Sequence, residues 1–520
     1  MLMGDILRRS AINFPNKTAL IYENYALSYR ELNYRVNCLA NSLLKMGIKK
    51  GDRLALLLHN CPELFEIYFA SAKIGSIFVP INNLIKQKEL RQILEYVSPR
   101  VLFVDPDYVE VIDSLREDLR FIEFFIGLKG VSSTNFKQYD FMIEQGESGE
   151  PEANVSNDDV MNIILTSGTT GRPKGVMRTH RHNFINVMAE AIEFRLKYDD
   201  RALFLTPYYH VAIESVLGRH ILMANTIVIR KEGRFDPKET LGILSLEKIT
   251  VLQVVPTIIN AMLQVESMET YDLSHLRLMT YVGSPMPVPL IKRAIKRFNC
   301  QFLQLYGQTE AGPMITALRP EDHTLDESDT QLTRLASAGR PVLGWEVRIV
   351  DEKDNDVPEG EVGEIIARSD CMTIGYWNLP DETATTLRGG WLHTGDMGRF
   401  DGDGYIYIVD RKNDMIISGG KNIYPREIEE VLYQHDAVLE ATVIGVPDEY
   451  WGESVKALVV LKDGMKATEE EIIDFCKKNL ASYKKPRTVE FREELPKNPA
   501  GKILKRIIKE EYWKDKGRKI

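Results

Sequence analysis

The sequence predicts an α/β protein in two parts: a large N-terminal domain of layered α/β subdomains plus a small β subdomain, followed by a small α/β C-terminal domain. Three observations carry this. Up to about Asp410, short apolar runs alternate with amphipathic stretches and Gly or Pro punctuation, as strands and helices in layers do. Between about Trp345 and Asp410 the helical period fades and strands dominate. After Asp410 a second, shorter alternation begins. The 520 residues exceed one typical domain and can bury more than one core, so domains spanning 1–410 and 411–520 are expected.

Residues 54–58, Leu-Ala-Leu-Leu-Leu, read as a buried strand, and 62–72 as the helix after it, with Pro62 in its first turn. Residues 160–165, Val-Met-Asn-Ile-Ile-Leu, are short, apolar and β-prone. After a loop, Thr179 can cap a helix whose apolar face is Phe184, Val187, Met188, Ala191 and Ile192. The apolar stretch 251–263 is too short to span a bilayer and reads as a buried strand and helix. In the β subdomain, strands are expected at 346–350, 363–367, 399–400 and 405–409, the last two around Asp401-Gly-Asp-Gly404. Beyond it, Pro425 opens a helix with Ile428, Val431 and Leu432, and strands follow at 441–446 and 455–461. Thr468-Glu-Glu-Glu471 is a capping box for a helix with Ile472, Ile473, Phe475 and Cys476. No repeat or low-complexity linker is visible, so the two domains must join near residues 410–414.

A net charge of -9 argues against a nucleic-acid footprint, which shows as a basic domain or stripe. Five scattered cysteines without paired spacing argue against a disulfide framework or a zinc site, so a reducing compartment is the default. The first residues lack a signal pattern, and no apolar run reaches the ~18 residues of a spanning helix. A cytoplasmic protein without a transmembrane segment is expected, with loose membrane association left open and oligomeric state undetermined.

The most informative tract is Thr166-Ser-Gly-Thr-Thr-Gly-Arg-Pro-Lys-Gly175, which places three glycines, four hydroxyls and two cations after the strand at 160–165. Glycines let backbone amides approach oxyanions, hydroxyls add donors, and Arg172 and Lys174 offset polyphosphate charge. It is not a Walker loop, which needs four residues between its glycines and then Lys-Ser/Thr.

In residue order this tract resembles the phosphate loop of the adenylate-forming superfamily, which includes acyl-CoA synthetases, peptide-synthetase adenylation domains and luciferases. Further signatures follow in that family's order: Tyr306-Gly-Gln-Thr-Glu310, Trp391-Leu-His-Thr-Gly-Asp396, Asp410-Arg-Lys-Asn-Asp414, Ser418-Gly-Gly-Lys-Asn-Ile-Tyr-Pro425 and Pro499-Ala-Gly-Lys502. The resemblance spans nearly the whole chain and implies ATP, Mg2+ and CoA as ligands, with a mobile C-terminal lid. It implies phosphate contacts from Thr166, Ser167, Gly168, Thr169, Thr170, Gly171 and Lys174, and an adenine site lined by Gly283, Ser284 and Pro285. It implies adenine stacked on Tyr306, substrate passing Gly307, Thr309 on the α-phosphate and Glu310 as the magnesium ligand. Asp396 is implied on the ribose hydroxyls, Arg411 on ribose or phosphate, and Gly419 and Gly420 along a pantetheine channel. Lys502 is implied as the cation bridging carboxylate and α-phosphate, and His210 as the gate of the acyl pocket. The hinge position falls on Asn413, where the family has aspartate or lysine, and Lys421 stands where glutamate is frequent.

A carboxylate cannot expel oxide, so it is activated as acyl-AMP by attack on the α-phosphate of ATP. Both reactants are anionic, so catalysis consists mainly of positioning and cationic stabilisation. Residues 208–210, Tyr-Tyr-His, lack the aspartate with which adenylation domains hold an amino group, so an uncharged fatty or aryl carboxylic acid is expected. Val211, Ile213, Val254, Val282 and Met314 are expected as an apolar wall, with Glu214 paired to His210 or Arg219. Two alternatives stay open: loading of a carrier-protein phosphopantetheine, and a non-catalytic adenylate-binding module.

Overall fold

The computed structural model describes residues 1–166, 173–209, 212–231, 233, 235–284, 286–325, 333–412, 414–497 and 503–514, with the side chains of 212–215 excepted. Two large sheets and a small antiparallel sheet form the N-terminal part, and a further sheet forms the C-terminal lobe.

The nine-stranded sheet runs, in spatial order, through Arg340–Pro341, Gly312–Leu318, Gln301–Gln308, Leu278–Tyr281, Val251–Val254, Arg201–Phe204, Thr226–Ile229, Thr18–Tyr22 and Tyr25–Ser28. Its middle, from Gln301–Gln308 to Thr18–Tyr22, is parallel throughout. These central strands are short apolar runs buried on both faces, which helices on either side of a parallel sheet require. The eight-stranded sheet has Val160–Thr166, Ile77–Pro80, Arg53–Leu57 and Val101–Val104 at its middle. Between the two sheets a single core joins Leu54, Phe78 and Phe103 of one to Phe204 and Ile227 of the other, through helices Met3–Asn13, Tyr29–Lys45 and Pro62–Ile74.

The small antiparallel sheet orders Glu346–Val350, Gly363–Arg368, Leu392–Phe400 and Ile406–Arg411, matching the four expected strands with a longer third. The last strand ends at Arg411, and Ile416–Ser418 already belongs to the five-stranded sheet of the lobe. There Val438–Asp448 and Gly452–Leu461 form the central hairpin, flanked by helices Pro425–Leu432, Glu469–Asn479 and Lys505–Trp513. The lobe is tied back to the small sheet by Arg426, whose amide donates to Asp410 (3.0 Å) and whose Nη1 donates to the Ile408 carbonyl (2.7 Å). Lys505 pairs with Glu429 at 2.9 Å and Lys509 with Asp414 at 2.9 Å, so the last helix is fastened beside the joint.

Two expectations are corrected. The stretch expected as loop between residue 165 and Thr179 is in part a strand: residues 174–179 run antiparallel to Val160–Thr166. Thr179 caps the helix that follows, His180–Glu193, as expected, with its side chain accepting from the His182 amide. The buried face, however, is largely polar: His180, His182, Asn183, Asn186 and Glu190 are buried with Val187, while Met188 and Ile192 are 41% and 55% exposed. Asn183 donates to Asn162, and Asn186 to Glu190, whose other oxygen accepts from Arg219, so these polar groups meet partners inside the fold.

Candidate active site

The carboxyl ends of the parallel strands in the nine-stranded sheet are where an open α/β sheet binds ligands. Two expected segments arrive there from neighbouring strands. Val282, Gly283 and Ser284 follow Leu278–Tyr281, and Gly283 adopts φ +90, so the chain turns there. Tyr306 and Gly307 lie at the end of Gln301–Gln308, before the turn holding Thr309 and Glu310, where the Gly312 amide donates to the Thr309 carbonyl. A Cβ on Gly307 would fall 2.5–2.7 Å from backbone atoms of Pro313, Gly312 and Met314, so the hairpin closes only over glycine.

Tyr306 is buried and its hydroxyl donates to Asp396 at 2.7 Å; burial and the adjacent carboxylate keep this phenol protonated. Asp396 faces Arg411 across the small sheet, and the guanidinium Nε stands 3.4 Å from its carboxylate. A carboxylate, a phenol and a cation from two sheets thus share one spot. Glu310 anchors a second cluster: its Oε1 accepts from Tyr376 at 2.7 Å, and its carbonyl accepts from the Thr373 amide at 2.7 Å. The Lys174 ammonium stands 5.1 Å from the centre of the Tyr376 ring, a cation over an aromatic face. Gly375–Tyr376 pairs with Met177 and Val176, and the Trp377 amide donates to Gly175, so one short strand joins the exit of the phosphate tract to Glu310. Tyr376 and Thr373 were not predicted from sequence, because a Gly-Tyr pair has no spacing that announces a partner far away in the chain.

Of the other expected residues, Thr166 ends the strand Val160–Thr166, its hydroxyl donating to the Lys174 carbonyl at 3.4 Å. Gly419 and Gly420 form the tip of the hairpin between Ile416–Ser418 and Lys421–Ile423, with φ +56 and +74, a turn that glycine supports without strain. The Trp451 ring covers Gly419, and Lys421 lies over Tyr483, 4.3 Å from the ring centre. Asp410 is buried and its carboxyl is pushed up by desolvation, while it accepts from the amides of Arg411 and Arg426. Ser167, Gly168, Thr169, Thr170, Gly171, His210, Val211, Pro285, Asn413 and Lys502 lie outside the described residues, as do the side chains of Ile213 and Glu214. Arg219 has Glu190 as its carboxylate partner at 2.7 Å.

The expected apolar wall is corrected at one position. Val282 and Met314 pack in the core on the sheet face toward His180–Glu193, but Val254 belongs to the core on the opposite face. Its neighbour Gln253 takes the place on the Val282 side, in register with Thr280.

The AMP-binding enzyme family matches residues 7–377, and its C-terminal domain matches residues 427–502. A feruloyl-CoA synthase of Amycolatopsis sp is 36% identical over 511 residues, covering 98% of this chain and 99% of that protein. The long-chain-fatty-acid–CoA ligase FadD13 of Mycobacterium tuberculosis is 34% identical over 517 residues, with 98% of each covered. The crystal structure of the anthranilate CoA ligase AuaEII in complex with anthranoyl-AMP superposes with a TM-score of 0.91 at 28% identity, covering 98% of this chain and 97% of that one. The chain belongs to the adenylate-forming AMP-binding enzymes. Within that class it is an AMP-forming acyl-CoA synthetase: ATP converts a carboxylic acid to acyl-AMP, and CoA then takes the acyl group.

Proposed function

We propose that the clusters around Asp396 and Glu310 are the two ends of one ATP site, and that the chain activates an aryl or fatty acid there. The observation that carries this is the meeting of groups from three sheets: Tyr306 and Glu310, Asp396 and Arg411, and Lys174 and Tyr376. Asp396 accepts from the ribose hydroxyls, Arg411 supplies positive charge beside them, and Tyr306 gives adenine a flat face. The tract 166–175 with Lys174 holds phosphate oxygens, aided by Thr309. Glu310, a hard carboxylate oriented by Tyr376, suits magnesium, which when bound neutralises triphosphate charge. Lys502 brings the last cation to the carboxylate and α-phosphate, and its removal from the cleft makes room for the thiol. That exchange requires the unit 411–520 to turn about the residues near Asn413, bringing the Gly419–Gly420 hairpin over the adenylate. His210 gates the acyl pocket and transfers no proton, because the attacking carboxylate is already ionised near neutral pH.

Acid-dependent exchange of labelled pyrophosphate into ATP tests the first half-reaction, and its absence over a broad acid panel refutes the proposal. Mass analysis with free CoA and with a phosphopantetheinylated carrier identifies the acceptor; a thioester on CoA is expected. Lys502→Ala should abolish adenylate formation while thioester formation from supplied acyl-AMP largely survives. Equal loss of both steps would exclude Lys502 as the bridging cation of the first step alone.

A further inference from the structure

The sheet face turned toward His180–Glu193 carries apolar residues around one polar pair. Gln253 and Thr280 are register partners on adjacent parallel strands, 5% and 0% exposed, so their side chains leave the sheet side by side. Val251, Leu278 and Leu303 surround them on the same face. Arg219 donates through Nη2 to Gln253 Oε1 at 2.7 Å and through Nη1 to Glu190 Oε2 at 2.7 Å. A guanidinium only donates, so this contact fixes which end of the Gln253 amide is the carbonyl. The amide Nε2 is then left without a hydrogen-bond partner, and so is the Thr280 hydroxyl. Two adjacent, fully desolvated polar groups with unmet bonds are costly unless something polar meets them.

Their location says what that is. Val282, just past the end of the strand, lies two residues beyond Thr280, so at ~3.3 Å of strand rise per residue the pair sits roughly 7 Å below the cleft rim. That is the depth reached by the far end of an acid whose carboxyl group is at the nucleotide. We propose that Gln253 and Thr280 recognise a hydroxyl at the distal end of the acid, which accepts from Gln253 Nε2 and donates to Thr280 Oγ1. The enzyme therefore selects hydroxylated aryl or acyl acids over their plain hydrocarbon counterparts. This rests on the acyl-CoA synthetase reading of the site and adds the substrate class. A hydrocarbon tail leaves both buried groups unpaired, and a site built to hydrogen-bond a hydroxyl rejects the analogue without it more strongly than an apolar pocket rejects an added methyl.

The test compares two acids of matched shape, 4-hydroxycinnamate and 4-methylcinnamate, by pyrophosphate release from the full chain with ATP, magnesium and CoA. The expected kcat/KM ratio favours the hydroxylated acid by at least about tenfold, and Gln253→Met and Thr280→Val should each narrow that ratio by about tenfold. Gln253→Met removes the acceptor of Arg219; if it fails to fold, Thr280→Val, which keeps shape and removes only the hydroxyl, decides the matter. A wild-type ratio near one, or a ratio unchanged in the variants, overturns the proposal and leaves a trapped water or a purely structural pair. Exchange of pyrophosphate into ATP with some acids, without the hydroxyl preference, overturns this inference alone. No exchange with any acid overturns the reading of the reaction as well.

Discussion

At the scale of single residues, Tyr376 is the group whose role the fold discloses. Its hydroxyl orients Glu310 and its ring faces Lys174, so it couples the proposed metal ligand to the phosphate tract. Tyr376→Phe removes one hydrogen bond to a charged group, about 1.5–3 kcal/mol, and should raise the magnesium concentration for half-maximal activity by roughly tenfold with the fold intact. A metal titration of pyrophosphate release checks this. Buried histidines give the molecule an acid limit. Burial pushes His180 and His323 down from 6.5 to about 4. His323 is held between the Tyr281 hydroxyl and the Arg319 carbonyl, and His180 accepts from the Met3 amide. Between pH 6.5 and about 4 the unfolded chain binds these protons and the folded chain does not. Their stabilisation is therefore complete above pH 6.5 and is lost as pH falls toward 4, on the order of 3 kcal/mol per histidine. Melting temperature recorded against pH should fall across that window, and His323→Gln should flatten part of the slope.

At the scale of elements, the hairpin joining Gln301–Gln308 to Gly312–Leu318 carries Tyr306 at one end and Glu310 in its turn. Gly307→Ala drives a methyl group against the opposing backbone, so it should destabilise the protein by ~1–3 kcal/mol and lower adenylation more than ten-fold through both clusters at once. Chemical denaturation and pyrophosphate exchange measure the two losses. Much of this level was legible in the sequence. The apolar strand before the phosphate tract, the caps at Thr179 and Thr468 and the hairpin at 401–404 follow from period and turn chemistry alone. The face of His180–Glu193 did not, because its buried side chains are polar and meet partners, Asn162 and Arg219, that no local pattern identifies. The assignment of Val254 to the acyl wall failed for a related reason. A four-residue strand buried on both sides has no alternation to say whether residue 253 or 254 faces the helices. Tyr306, Glu310 and Asp396 were readable as motifs, whereas Tyr376 gained its meaning only when a distant strand came beside Glu310.

At the scale of the whole molecule, the relation of the C-terminal lobe to the rest depends on buried charge. Burial pulls the Lys505 ammonium down, but Glu429, Asp410 and Asp414 outweigh it and hold the charge on. Lys505→Met leaves Glu429 without its ion-pair partner and removes a positive charge near Asp410, so the lobe should loosen by ~3–5 kcal/mol. Hydrogen exchange across 405–430 and 503–514 should accelerate, while the strands Arg53–Leu57 and Val101–Val104 keep their protection. Arg426 supplies both the amide bonded to Asp410 and the guanidinium bonded to Ile408, whereas the Lys509–Asp414 pair lies beyond Arg411 and travels with the lobe. The turn proposed for the lobe about the short connection after Arg411 has to break both Arg426 contacts, to Asp410 and to Ile408. In the proposed turn, Arg426 is the catch on the door: one residue latches the lobe to the small sheet at two points.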